Sequence, residues 1–598
     1  MSPVVRQSLT LLACAVFMIL TPALPAGQGR GLGKGQPGSA GRKAPGDVGP
    51  PVAGALKGPA AIAALGGDLG RRVRERGGAP EQYAALLAGD ESAWISSEGQ
   101  LMFIDVVDHD LDGDGDGDSL PDDVAVPTGP APTPLSLLAN GMPVHHSKPG
   151  APWTIYLDFD GEAAFSSRDW GIFGRTITGL TIDADAATFT ADEQAVISRT
   201  WGRVAEDWAP FDVDVTTERP AAIGPTVLWS IVGKSPAEIG FPSGVGGVAL
   251  FNLGYMPFGL QTPTFTFWQP FGVTNHSTIA DVITQENGHM FGLLHDGLMT
   301  PTGIQEYYGG HGTGPTSWGP VMGAPHDRNV TQWSRGEYPG GINPFGGWYP
   351  PQDDIAIIAG KLGFRADDFA DTIAGAAPLV QPTAGYITST TDVDVFALPL
   401  ANEVHIEITP FRAGELTDGG NLDVAADILN AAGVVVATVD DVTETAAALT
   451  ADLPSTPHFL RVRPSFDPAN YPAYASLGGY AVSGTFVRSV KLMAFQEPLA
   501  TAALTAGRTV PVKFTLTAPV AAARVQLRLS PLGAADAVSE TSCSGQALGR
   551  QHCNLKIPAT ASGSYWIVAQ FQNIDGSWVT AGPVSGAGIE NPFPVVVD

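Results

Sequence analysis

The stretch Gln285-Glu286-Asn287-Gly288-His289-Met290-Phe291-Gly292-Leu293-Leu294-His295-Asp296-Gly297 carries the densest chemistry in this chain of 598 residues. Residues four apart on an α-helix share a face, so Gln285 and His289 project together with Glu286 beside them. Gly292 is placed to turn the chain, and His295 follows three residues later. Imidazoles gathered beside a carboxylate are the donors that a divalent metal and an adjacent base require. The helix is expected to run from Ser277 to Leu294.

Around it lie the parts of an α/β region from about 147 to 366. Thr190 to Trp208 carries Ile197, Trp201, Val204 and Trp208 at helical spacing, and Thr190 with Glu193 makes a capping box. Strands are expected at Thr154–Phe159, Phe211–Thr217, Thr226–Val232 and Thr264–Trp268.

The set Glu286, His289, Gly292 and His295, followed by Asp296, resembles the metzincin zinc peptidases, and the reprolysin-like branch in particular. Trp318-Gly319-Pro320-Val321-Met322-Gly323 stands where that family has its methionine turn, and Thr331–Tyr338 is similar to its bacterial members. The resemblance implies an α+β metzincin-type catalytic domain, a mixed twisted sheet plus helices, with an edge strand that pairs with extended peptide substrate. It implies zinc held by His289 and His295, Glu286 as general base, and Met322 as a structural floor.

The departure is Gln285, which stands where the family has its first zinc histidine. An amide oxygen is a poor zinc ligand beside an imidazole nitrogen. Three arrangements stay open: Gln285 binds through its carbonyl oxygen, water fills the gap in a two-histidine site, or the site holds no metal. His276 lies nine residues before Gln285, out of reach of the same helix face, and His311 sits in a glycine-rich loop whose approach to the cleft is a further option.

The formal net charge of -28 sets nucleic acid aside as a partner and favours divalent cations. Arg6, the apolar run Leu9–Leu20 and Ala23-Leu24-Pro25-Ala26 read as a signal peptide over 1–26, too short to span a bilayer. The expectation is a secreted or cell-surface protein with no transmembrane segment after signal removal. A pro-region or linker is expected over 27–146, with Gln100–Val107 as a strand. Within it, 108–123 alternates Asp with Gly, and Asp112, Asp114, Asp116, Asp118 and Asp123 have the spacing of a calcium loop. Cys543 and Cys553, the cysteines left after signal removal, are expected to form a disulfide.

Beyond 366 short alternating segments suggest two all-β sandwich domains, 367–488 and 489–598. The first resembles the pre-peptidase C-terminal-type domain through Asp371-Thr372-Ile373-Ala374, Gly385-Tyr386-Ile387 and Asp392–Leu398, and the second an Ig-like module through Val510–Phe514. The functional expectation is a secreted zinc-dependent metalloendopeptidase acting on extracellular protein or peptide. The alternative is an inactive metzincin-like pseudopeptidase used for binding or adhesion, and a purely structural surface protein is a third reading.

Overall fold

The computed structural model describes residues 54–106 and 131–598, apart from 184, 252–256, 327, 344–350, 402, 414–418, 454–455, 488–490, 498–502, 518–524, 532–535, 544–548, 573–577, 581 and 584–592. The expected signal peptide and the calcium loop of Asp112, Asp114, Asp116, Asp118 and Asp123 lie outside the described residues. Contacts divide the chain into Met1–Lys43 and Ala44–Asp598, and every described residue belongs to the second unit.

Val227–Gly233 is apolar almost throughout and buried at all seven positions, the pattern of an interior strand covered on both faces. It lies in an eight-stranded sheet, in the order Leu56–Lys57, Ala93–Ile95, Leu101–Val106, Val245–Leu250, Thr264–Phe267, Val227–Gly233, Trp153–Asp158, Val213–Thr216. The last four strands run parallel to one another. Val245–Leu250 is antiparallel to Thr264–Phe267, and Leu101–Val106 is antiparallel to Val245–Leu250.

Six α-helices occur among the described residues. The first three, α1 (Gly58–Leu65), α2 (Asp68–Glu75) and α3 (Pro80–Gly89), share a small core with Phe103, Phe251 and Leu294. The fourth, α4 (Ala191–Asp207), starts at the capping box: Thr190 Oγ1 accepts from Glu193 N at 3.4 Å, and Glu193 Oε2 accepts from Thr190 N at 2.7 Å. It packs beside α5 (His276–His289), which is buried at nearly every position. The last is α6 (Asp354–Leu362).

The described residues are mostly β, with 39% of them in strands and 17% in helices. This overturns the expected fold class, an α+β metzincin-type catalytic domain. Two helix signatures are strong over short stretches of sequence, whereas the many short strands around them gain meaning only from distant partners. Residues 55–106, read as pro-region, add three strands to the sheet, and the chain after α5 folds into small ribbons such as Gly297–Thr300 with Gly303–Gln305.

Residues 377–487 form a five-stranded and a four-stranded sheet, with Val404, Ile406 and Ile408 pointing inward from Glu403–Pro410. Their core is continuous with that of the central sheet. Residues 491–597 form two further sheets around a separate core, and Cys543 is disulfide-bonded to Cys553. No helix among the described residues is long and apolar enough to cross a membrane.

Where α4 meets the strand Gly478–Val487, Glu206 is buried and accepts from Gly479 N at 3.1 and 3.2 Å. Burial pushes its carboxyl up to about 8. Unfolding returns it to the ordinary carboxylate range, so its contribution to stability is full below about pH 4.5 and is lost as pH rises toward 8. Glu206→Gln is therefore expected to remove a pH-dependent loss on the order of 4 kcal/mol between pH 5 and 8. Urea unfolding of both chains across that range checks it, and equal slopes would refute it.

Candidate metal centre

Helix α5 brings Gln285, Glu286 and His289 into the molecule, and the turn that follows brings His295 back. Asn275 caps its start, accepting from Thr278 N at 3.2 Å. The helix ends at Met290, and Gly292 has a φ of 89°, a left-handed conformation that favours glycine. Met322 is fully buried beneath this point: a Cβ added at Gly288 would lie 2.5 Å from its Sδ. The Met322 carbonyl also accepts from Asp296 N at 2.8 Å.

His289 Nε2 and His295 Nε2 face each other at 3.1 Å. His289 Nδ1 is 2.8 Å from Leu293 O, so it carries the proton and leaves Nε2 with its lone pair. His295 Nδ1 is 3.1 Å from Asp90 Oδ2, a histidine–carboxylate pairing that orients a metal-ligating ring. Phe103 stacks on His289 with ring centroids 4.3 Å apart, and Tyr307 packs against His295 at 4.4 Å.

Between the histidines stands Asp105, from the strand Leu101–Val106. Its Oδ1 is 3.4 Å from His295 Nε2, and its Oδ2 is 3.8 Å from His289 Nε2. Tyr307 Oη donates to Oδ1 at 2.8 Å and Gln285 Nε2 donates to Oδ2 at 3.0 Å. Gln285 thus reaches the site, but as a donor to Asp105. Asp105, His289 and His295 each offer an atom within 4.8 Å of the others. His311 lies elsewhere, with Nδ1 2.7 Å from Tyr308 Oη, and His276 sits at the far end of α5.

The electrostatics are those of a site made for positive charge. Burial alone would raise the Asp105 carboxyl, but the charge of His295 and hydrogen bonds from both histidines hold it well below the usual range. Burial opposes charging of His295, yet Asp90 and Asp105 push it well above its ordinary value. Burial lowers His289. Glu286 is raised well above the carboxylate range by burial and by the charge of Asp105. Neither Glu286 oxygen has a hydrogen-bond partner. Glu306 is raised to about 8 by burial and by Asp90.

This donor set fits zinc. Ligands held about 2.1 Å from a tetrahedral ion lie roughly 3.4 Å apart; here the two ring nitrogens are 3.1 Å apart, with Asp105 Oδ1 3.4 Å from His295 Nε2 and Asp105 Oδ2 3.8 Å from His289 Nε2. Glu286, whose two buried oxygens have no hydrogen-bond partner, stands beside them. Sequence reasoning found Glu286, His289, His295 and Met322, and missed Asp105 and Asp90. The available signal for Asp105 was a lone carboxylate in the apolar run Leu101–Val106.

No protein-family model matches the chain, and no curated protein matches it. Among solved structures, it is similar to the Clostridium thermocellum CbhA fibronectin(III)-like modules at 8% identity, covering 28% of this chain and 80% of that one, with a TM-score of 0.11. A glycosyl hydrolase family 2 member from Bacteroides cellulosilyticus matches at 10% identity, over 36% of this chain and 31% of that one, with a TM-score of 0.14. Likeness at these scores carries no argument about fold or function.

Proposed function

We propose that the chain is a secreted zinc-dependent endopeptidase held latent by its own strand Leu101–Val106. The observation that carries this reading is the meeting of His289, His295 and Asp105 beside a Glu286 whose two oxygens are buried and unused. Zinc bound by these groups supplies a Lewis acid that polarises a carbonyl and lowers the pKa of water. His289 and His295 present Nε2 because Leu293 O and Asp90 engage their Nδ1 atoms. Glu286 takes a proton from the attacking water and returns it to the leaving amine.

An extended substrate pairs with the strand Val245–Leu250 by main-chain hydrogen bonds. That edge is taken by Leu101–Val106, with Asp105 opposite Gly247. A peptide therefore gains the site only when this strand leaves, and a cut between 107 and 130 would allow it; Asp90 and Asp105 leave with it, so the opened site is held by His289 and His295, with the carbonyl oxygen of Gln285, released from Asp105, and water completing it.

The hydrogen bond from Gln285 Nε2 to Asp105 favours a second reading. Here the N-terminal strand never leaves, the metal is structural, and the protein binds without cleaving.

Zinc analysis and casein hydrolysis separate the two, on the intact chain and on chain cleaved between 107 and 130. The intact chain is expected to hold stoichiometric zinc and be inert, and the cleaved chain to hydrolyse casein. Cleaved chain that has lost its N-terminal piece and shows neither zinc nor hydrolysis overturns the proposal. Recovery of both in Gln285→His then places the lesion at residue 285, whereas an N-terminal piece that stays bound after cleavage, with zinc retained and no hydrolysis, supports the second reading.

A further inference from the structure

Two overlapping groups of three carboxylates lie where the chain passes from α6 into the sheets of residues 377–487. Asp367, Asp368 and Asp394 form one group, and Asp367, Asp371 and Asp392 another, each with oxygens within 4.8 Å of one another. Asp367 belongs to both. Asp367, Asp368 and Asp371 are exposed, on the segment that leads in, whereas Asp392 and Asp394 are 6% and 0% exposed.

The two buried carboxylates are half used. Asp392 Oδ2 accepts from Thr388 N at 2.7 Å and from Thr388 Oγ1 at 2.9 Å, and Asp394 Oδ2 accepts from Tyr480 Oη. The Oδ1 atom of each is buried with no hydrogen-bond partner. A buried oxygen left unpaired is costly unless something else satisfies it. Burial, together with the charges of the other aspartates, raises Asp394 to about 8, Asp368 to about 6, and Asp392 above its usual value.

Hydrogen bonds already hold the pieces in register. Asp371 Oδ1 accepts from Val393 N at 3.3 Å, and Val395 N donates to Ala370 O at 3.1 Å. The group is all oxygen, anionic and open to solvent on one side. That suits a hard cation with six to eight oxygen ligands and tolerant geometry, and not the smaller, octahedral magnesium ion.

We propose that Asp367, Asp368, Asp371, Asp392 and Asp394 form a calcium-binding cluster of two adjoining ligand groups that share Asp367 and clamp the 367–371 segment to the strand Asp394–Ala397. The site is independent of the peptidase reading.

The test uses the full chain carrying Asp112→Ala, Asp114→Ala and Asp116→Ala, so that the Asp/Gly run contributes no binding. After chelator treatment, calcium is titrated by calorimetry, and thermal unfolding is followed with and without calcium. The parent is expected to bind calcium and to unfold roughly 5 °C higher with excess ion. Asp367→Asn is expected to bind at least about tenfold more weakly, because charge count tunes such sites. Without calcium it should melt no lower than the parent, since it removes one of several mutually repelling charges. Asp392→Asn, which keeps the buried shape, should behave likewise. If Asp392→Asn fails to fold, exposed Asp367 decides alone. A parent that binds no calcium, or an Asp367→Asn chain that binds it equally well, overturns the proposal.

Discussion

Asp105→Ala is expected to weaken zinc binding by the intact chain roughly a hundredfold or more, measured by competition with a chromogenic chelator. Asp105 is the anionic member of the Asp105, His289, His295 group, and it stands within 3.4 and 3.8 Å of the two Nε2 atoms. Alanine leaves two neutral imidazoles, a poorer set for a divalent ion. It also strips the acceptor from Tyr307 Oη and from Gln285 Nε2. Each donor left unsatisfied inside the protein costs about 1–3 kcal/mol, so the metal-free variant should unfold more readily as well. The strand itself should stay in place, because Met102, Phe103 and Ile104 are all buried. Asp105→Asn separates the two effects: it keeps an acceptor oxygen and the shape but removes the charge, so it should lose zinc and retain most stability. Unchanged zinc affinity in both variants would remove Asp105 from the ligand set and leave its strand as a steric cover only.

The part of this site that the sequence discloses is the part built by local geometry. Glu286, His289, Gly292 and His295 are related by helical spacing and one turn, and such relations are fixed over a dozen residues. The start of α4 was legible for the same reason, since Thr190 and Glu193 cap each other three residues apart. Asp105 and Asp90 reach His295 from 190 and 205 residues away in sequence, by strand pairing and by a loop. Nothing local in an apolar strand states which edge it will join. The same limit explains the carboxylates at 367–394. They gather across a change of sheet, whereas the Asp112–Asp123 run, which lies outside the described residues, is contiguous in sequence. The fold class failed for a related reason. Two strong helix signatures spoke for an α+β domain, while the strands that make the chain mostly β each carry a weak signal and gain meaning only from distant partners. Gln285 stands at a ligand position by its spacing, but its role as donor to Asp105 depends on a residue 180 positions away in sequence.

Gly247→Ala should lower casein hydrolysis by the cleaved chain about a hundredfold or more and destabilise the fold by about 1–3 kcal/mol. A Cβ at residue 247 would lie 2.1 Å from Glu286 Oε1, and 2.7 Å from both Glu286 Cδ and Val282 Cγ1. The objection is space, since Gly247 is not among the glycines with positive φ. Helix α5 is buried along its length and cannot retreat. The strand carrying residue 247 is held between Leu101–Val106 and Thr264–Phe267 in the described state, and still by Thr264–Phe267 after cleavage. The Glu286 carboxylate is then the group that gives way, and it is the proposed base. His289 and His295 are not among the atoms met, so zinc content should survive while hydrolysis does not. A double-mutant cycle with Glu286→Gln sharpens the result. If the alanine acts by displacing Glu286, it adds little to the hydrolysis already lost in Glu286→Gln. Full activity in Gly247→Ala, or losses that simply add in the double variant, would mean that the carboxylate pressed under this strand is not the base.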